Sequence, residues 1–396
     1  MDKFVVYGGN RLEGSVKISG SKNSVLPIMA ATLLASGTFE IENVPDLRDV
    51  ATMSHLLRII GAEVIFKENK LIINTERCSF FEAPYELVKT MRASIYVLGP
   101  LMGRFGRGKI SYPGGCALGP RPIDLHLKAM ETLGAQIDLE GGYIIAKGDK
   151  LKGAEINFPI SSVGATGNTL MAAVLAEGTT VLTNAAIEPE IVALEEFLVD
   201  MGAKIEGIGK RKITITGVNK LSPIKKSVIP DRIEAGTFMV AGAITGGNIE
   251  IQNVDVRHIT NIIDNLEKTG TKIKVKDNTL IIEAPDRIQP VSVKTEAYPG
   301  FPTDMQAQWI ALMSIADGTS TVIETIFPNR FNHVSELKRL GAHIDMDGNK
   351  ALVTGVKELK GAPVMSSDLR ASASLILAAL VAKGRTDISR IYHIDR

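Results

Sequence analysis

Aromatic residues are scarce in this chain, 5% of 396 positions, with a single tryptophan. So few flat rings disfavour a base-stacking nucleic-acid platform. Charge of one sign is lacking too: 45 Lys and Arg stand against 44 Asp and Glu, a formal net charge of +1. No overall field then recruits nucleic acid or an anionic membrane. Cysteine is limited to Cys78 and Cys116, which excludes a disulfide framework and suits a reducing compartment. The longest apolar run, residues 371–382, is too short to span a bilayer, and the opening MDKFVVYGGN holds no apolar signal region. No His/Cys/Asp spacing matches a zinc site, and neither GxGxxG nor GxxxxGK[ST] occurs. The expectation is a cytoplasmic protein with no metal, no cofactor, no nucleic-acid partner and no membrane insertion.

What the chain has instead is repetition. A helix rich in Ala, Leu and Met, apolar on every side, runs to a glycine and then a strand. It does so in LPIMAATLLASGTFEIENV, IYVLGPLMGRFGRGKISY, TLMAAVLAEGTTVLTNA, FMVAGAITGGNIEIQNV, WIALMSIADGTSTVIETI and LILAALVAKGRTDISRI. Aligned on Gly37, Gly108, Gly178, Gly247, Gly318 and Gly384, the copies recur every 66 to 71 residues, too long a period for a short solenoid repeat. A second signature interleaves: an amphipathic helix ending at Gly61, Gly134, Gly202, Gly270 or Gly341, each placed for a left-handed C-cap before a strand. Its spacing puts a sixth copy at about position 411, past Arg396, so the sixth unit is expected to be incomplete.

Helices of the first kind require burial all round. Those of the second carry Arg58, Lys128, Glu131, Glu195, Glu196, Lys338 and Arg339, which predicts a wet face. Strands such as TFEIENV alternate apolar and polar residues, so one sheet face is wet as well. A chain of this length exceeds one core. Three repeats are therefore assigned to each of two domains, residues 22–229 and residues 1–21 plus 230–396.

Polar residues gather at one phase of the repeat, just ahead of each apolar helix. They are Gly20-Ser21-Lys22-Asn23, Met91-Arg92-Ala93-Ser94, Ser161-Ser162-Val163-Gly164-Ala165-Thr166, Asp231-Arg232-Ile233-Glu234, Pro302-Thr303-Asp304 and Ser367-Asp368-Leu369-Arg370. Equal phases should meet in space, so these helix starts are expected to share one crevice. Helix starts offer unpaired N–H groups and partial positive charge to an anion. Plain capping selects the same Ser, Thr, Asp and Asn residues. It does not select Lys22, Arg92 or Arg370, because a cation opposes the helix dipole, and these point to a bound anion. With Asp231, Asp304 and Asp368 beside them, the mixture suits acid–base chemistry on a negatively charged substrate.

Residues 112–122 hold three glycines and three prolines and cannot form a helix. Within them Cys116 is expected on an exposed turn, where a neighbouring cation would favour its thiolate; it is a candidate nucleophile or proton donor, with an incidental turn thiol as the plainer alternative. Cys78, in NTERCSFFEA, has no such setting and reads as structural.

Gly20-Ser21-Lys22-Asn23, TMRAS, YPGGCALGPRPIDLHLKAMETLGA, SSVGAT, EPEI, PDRIEAGTF, FPTDMQAQ, NRFNHVSELKRLGAH, DLRASASL and RIYHIDR follow one another in this order. Together they resemble the UDP-N-acetylglucosamine 1-carboxyvinyltransferase family, from about residue 4 to residue 396. The resemblance implies an α/β fold, the inside-out α/β barrel of enolpyruvyl transferases, with three repeats in each of two domains. It implies transfer of the enolpyruvyl group of phosphoenolpyruvate to the 3′-hydroxyl of UDP-N-acetylglucosamine, through a tetrahedral ketal, with release of phosphate. That step opens bacterial peptidoglycan synthesis.

Carried over residue by residue, Cys116 matches the family's mobile-loop cysteine, a proton donor and the thiol alkylated by fosfomycin. Lys22, Arg121 and Arg396 match the cations on the phosphate and carboxylate of phosphoenolpyruvate, and Asn23 a polar contact to the reacting centre. Arg92, Arg121-Pro122-Ile123-Asp124-Leu125 and Ser162-Val163-Gly164 match the nucleotide-sugar site, and Ile326 a backbone contact there. Asp304 matches the general base at the 3′-hydroxyl, with Asp368 a second candidate for proton transfer. Some members carry Lys where this chain has Ile160, and the family continues for about one helix–strand unit past RIYHIDR. Two other readings remain: a 3-phosphoshikimate 1-carboxyvinyltransferase, and a non-catalytic regulatory paralogue. The Cys116 loop and SVGAT segment argue against the first, and the presence of Lys22, Cys116, Arg121 and Asp304 against the second.

Overall fold

The computed structural model describes residues 2–112 and 123–395. They form two compact units, each around its own hydrophobic core: residues 20–112 with 123–229, and residues 2–19 with 230–395. Both are mixed α/β.

Three nearly all-apolar helices lie inside each unit. They are Lys22–Ala31, Leu98–Phe105 and Val163–Ala173 in the first, Arg232–Ile244, Gln306–Met313 and Leu369–Val381 in the second. All eight residues of Gln306–Met313 are buried. A helix without a polar face has no side to offer water, and each Leu, Ile or Met left exposed would forfeit roughly 1.5–3 kcal/mol. The lone Trp309 is spent here: its ring meets Phe301 edge-on at 5.3 Å, and its indole N–H donates to the Val291 carbonyl at 3.0 Å.

The sheets share one plan. Lys225–Ser227 runs parallel to Thr38–Glu42, which pairs antiparallel with Lys70–Asn74, itself antiparallel to Glu63–Lys67. The same order recurs in Glu82–Ala83, Arg107–Ser111, Tyr143–Lys147 and Gln136–Glu140, and in Glu155–Asn157, Thr179–Thr183, Lys212–Thr216 and Lys204–Glu206. In the second unit it recurs twice, around Asn248–Gln252 and around Thr319–Ile323. A further sheet there has Pro363–Met365 parallel to Arg385–Ser389, and Lys3–Tyr7 antiparallel to the latter.

One residue closes three of these sheets in the same way. Asn43, Asn184 and Asn253 follow the central long strand with φ of 55°, 56° and 60°. Each side-chain amide donates to the carbonyl just beyond the parallel neighbour: Val228 at 2.9 Å, Phe158 at 2.9 Å and Ile18 at 2.7 Å. Asparagine suits this left-handed position because its short amide bonds locally.

The amphipathic helices are Arg48–Ile60, Asp124–Thr132, Pro189–Asp200, Thr260–Lys268 and Asn332–Arg339. Gly61, Gly134, Gly202, Gly270 and Gly341 end them with φ between 91° and 109°, the left-handed caps that the pattern predicts. The other glycine series divides. Gly37, Gly178, Gly318 and Gly384 have positive φ, whereas Gly108 lies in a strand and Gly106 and Gly246 make the left-handed turn instead. The segments RFGRG and TGG each hold an earlier glycine where the helix stops, and the turn forms there.

One charge corrects the expected wet face. Arg58, Lys128, Glu131, Glu196, Lys338 and Arg339 are exposed, but Glu195 is fully buried. Its Oε2 accepts from the Gly209 N–H at 2.8 Å, and burial pushes its pKa up to about 7 against that bond. No helix among the described residues is long and apolar enough to cross a membrane.

Candidate active site

Ser21 caps the Lys22–Ala31 helix by accepting from the Ser24 N–H at 3.3 Å, so Lys22 and Asn23 open its first turn. Lys22 Nζ lies 3.3 Å from Asp49 Oδ2, with both side chains mostly buried. The anion that a cation at a helix start calls for is thus supplied, at least in part, by the protein itself.

In the same unit Arg92, the Asp124–Leu125 pair and the Ser162–Gly164 segment meet at His126. Arg92 opens the Arg92–Val97 3-10 turn. Asp124 and Leu125 begin the Asp124–Thr132 helix, with Ile123 buried just before it. Ser162 caps Val163–Ala173, its hydroxyl accepting from the Ala165 N–H at 3.3 Å. Burial, helped by the Arg92 charge, pushes the His126 pKa down to about 4 and keeps the ring neutral. Asn168 Nδ2 lies 2.8 Å from His126 Nδ1 and donates to the Ile95 carbonyl at 3.0 Å, while its Oδ1 accepts from the Gly99 N–H at 2.8 Å. An amide nitrogen only donates, so Nδ1 accepts and the ring proton sits on Nε2. A Cβ on Gly164 would lie 2.9 Å from His126 Cε1 and Nε2. Glycine is what lets the ring approach this helix start.

In the second unit Asp304 lies in the Thr303–Met305 turn ahead of Gln306–Met313. Its Oδ1 is 2.8 Å from Arg330 Nη1 and its Oδ2 is 2.6 Å from Arg370 Nη2. Burial alone would raise its pKa, but the Arg370 and Arg330 charges and their hydrogen bonds outweigh it and hold the carboxyl well below the usual range. Asp368 caps Leu369–Val381, its Oδ1 accepting from the Arg370 and Ala371 N–H groups at 2.9 and 3.0 Å. Ile326 is partly exposed, and its N–H donates to Glu324 Oε1 at 2.8 Å. Cys116, Arg121, Pro122 and Arg396 lie outside the described residues. Cys78 is buried, and burial raises its pKa against the nearby Arg104 charge.

Sequence reasoning assigned nothing to His126, Glu324 or Arg330. Glu324 had a signal: it extends the inward phase of an alternating strand, after buried Ser320 and Val322. His126 reads as an ordinary helix residue, and Arg330 lies in a segment with no period.

The crystal structure of the enolpyruvyl transferase NikO from Streptomyces tendae matches with a TM-score of 0.89 over 99% of this chain and 94% of that one, at 25% identity. EPSP synthase from Acinetobacter baumannii shares the fold, with a TM-score of 0.74 over 98% of this chain and 94% of that one, at 20% identity. The fold is therefore that of the enolpyruvyl transferases. Residues 6–396 match the EPSP synthase (3-phosphoshikimate 1-carboxyvinyltransferase) family, and the chain belongs to it. The UDP-N-acetylglucosamine 1-carboxyvinyltransferase of Chloroherpeton thalassium is 59% identical over 399 residues, covering all of this chain and 93% of that protein. The protein of the same name from Geobacter metallireducens is 55% identical over 396 residues, covering 100% and 95%.

Proposed function

We propose that this protein transfers the enolpyruvyl group of phosphoenolpyruvate to the 3′-hydroxyl of UDP-N-acetylglucosamine and releases phosphate, a step of peptidoglycan synthesis. One observation carries the reading: full-length identity of 59% to a transferase named for that nucleotide sugar, against 20% to an EPSP synthase. The proposal extends to the inside-out barrel, three repeats to a unit, and to a domain boundary near residues 21 and 229.

The residue roles follow from chemistry. Lys22, Asn23, Arg121 and Arg396 hold phosphoenolpyruvate, guanidinium forks suiting both its phosphate and its carboxylate. Arg92, Arg121-Pro122-Ile123-Asp124-Leu125 and Ser162-Val163-Gly164 hold the nucleotide sugar. Ile326 contributes its carbonyl, since its N–H is bonded to Glu324. The hydroxyl oxygen adds to C2 of phosphoenolpyruvate while Cys116 protonates the methylene carbon. Loss of that methyl proton and expulsion of phosphate then restore the double bond.

Asp304 faces the 3′-hydroxyl. Two guanidinium groups keep it an anion that accepts a hydrogen bond readily, and it becomes a proton acceptor of useful strength when one of them withdraws. Asp368, held as a helix cap, is the second carboxylate available for proton transfer.

Phosphate release from phosphoenolpyruvate, measured with each of two acceptors, tests the assignment. Release with UDP-N-acetylglucosamine and none with shikimate 3-phosphate is expected; the reverse overturns it, and binding of the nucleotide sugar without turnover points to a regulatory paralogue.

A further inference from the structure

Glu324 occupies, in the Thr319–Ile323 sheet, the place that Asn43, Asn184 and Asn253 hold in three others, directly after the central strand. Those asparagines tie the strand end to its parallel neighbour with one neutral amide. Glu324 is fully buried and does something different. Its Oε1 accepts from the Thr295 hydroxyl at 2.8 Å, from the Ile326 N–H at 2.8 Å and from the Phe327 N–H at 2.9 Å. Its Oε2 accepts from the Thr303 hydroxyl at 2.8 Å. Thr303 Oγ1 in turn accepts from Arg330 Nη1 at 3.0 Å, and the same nitrogen donates to Asp304 Oδ1 at 2.8 Å. A buried carboxylate is costly where an amide suffices elsewhere, so its presence needs a reason beyond closing the sheet.

We propose that Glu324 is a positioning residue for the acceptor: one carboxylate fixes both the Ile326 backbone and, through Thr303 and Arg330, the Asp304 side chain. The proposal rests on the assignment of Asp304 and Ile326 to the acceptor site. The direction of the chain follows from donor chemistry. A carboxylate only accepts, so the single Thr303 proton must point at Glu324, and the hydroxyl lone pairs are left for Arg330. That places Nη1 to reach Asp304. A glutamine at 324 can donate to Thr303 instead, which releases the hydroxyl proton to turn against Arg330.

The test compares E324Q, E324N, T303V, T303S and D304A for thermal midpoint, kcat and affinity for UDP-N-acetylglucosamine. E324N installs the short amide that follows the central strand in three other sheets, where the backbone is left-handed as it is not at Glu324, and E324Q keeps the length of the side chain; neither leaves a charge unpaired, so folded proteins are expected. T303V cuts the relay at Oε2 while leaving the Glu324 side chain and its three Oε1 bonds in place, and it decides the matter if both Glu324 variants fail to fold. The expected result is folded E324Q and E324N with kcat down at least tenfold and weaker acceptor binding. T303V should lose kcat similarly while keeping acceptor affinity, because the Ile326 turn is intact, and T303S should recover most of the rate. Folded E324Q and T303V with kcat and affinity within twofold of wild type, alongside an inactive D304A, would overturn the inference alone. A fully active D304A would overturn the assignment beneath it, and the inference with it.

Discussion

Asp304 and Glu195 show how one functional group takes opposite characters from its surroundings. Asp304 meets two guanidinium groups and stays anionic; Glu195 meets one backbone N–H in an apolar core, and its pKa climbs to about 7. A raised carboxyl pKa stabilises the fold at low pH, and the benefit is lost as pH rises through about 7. E195Q cannot ionise, so relative to wild type it should gain on the order of 2–3 kcal/mol between pH 5 and pH 8. Urea unfolding at the two pH values checks this; a difference that does not change with pH contradicts it. Neither residue's state was legible in the sequence. Glu195 sits beside Glu196 in a helix that reads as amphipathic, and only packing distinguishes the buried member from the exposed one. Asp49, the partner of Lys22, lies 27 positions away on another helix, where no local pattern links the two.

Elements were more legible than contacts. The all-apolar helices could go nowhere but inside, and a glycine followed by Ala or Thr after an amphipathic helix announced its left-handed cap, because both signals are local. Strand pairing was not: Lys3–Tyr7 finds its partner at Arg385–Ser389, at the other end of the chain. The meeting of three helix starts at His126 was hidden for the same reason. It depends on a glycine whose missing side chain leaves no trace in hydropathy. G164A places a methyl 2.9 Å from the His126 ring, and overpacking of this kind costs about 1–3 kcal/mol. The variant should remain folded and bind UDP-N-acetylglucosamine about tenfold more weakly by calorimetry. Undiminished affinity would mean that His126 does not set this helix start.

At the scale of the whole molecule, the residues to which the proposed function gives roles fall in two units with separate cores. The first carries Lys22, Arg92 and the Ser162–Gly164 turn; the second carries Asp304, Ile326 and the buried Glu324 that links them. This division suits an addition–elimination, in which a doubly charged donor needs cations and a poorly nucleophilic hydroxyl needs an anionic acceptor. The most direct measurement is carbon NMR of the product formed from phosphoenolpyruvate labelled at C2. The label is expected to be bonded through oxygen to C3′ of the N-acetylglucosamine ring of the nucleotide sugar. A label attached at any other position, or a labelled product formed only when shikimate 3-phosphate is the acceptor, would contradict that expectation.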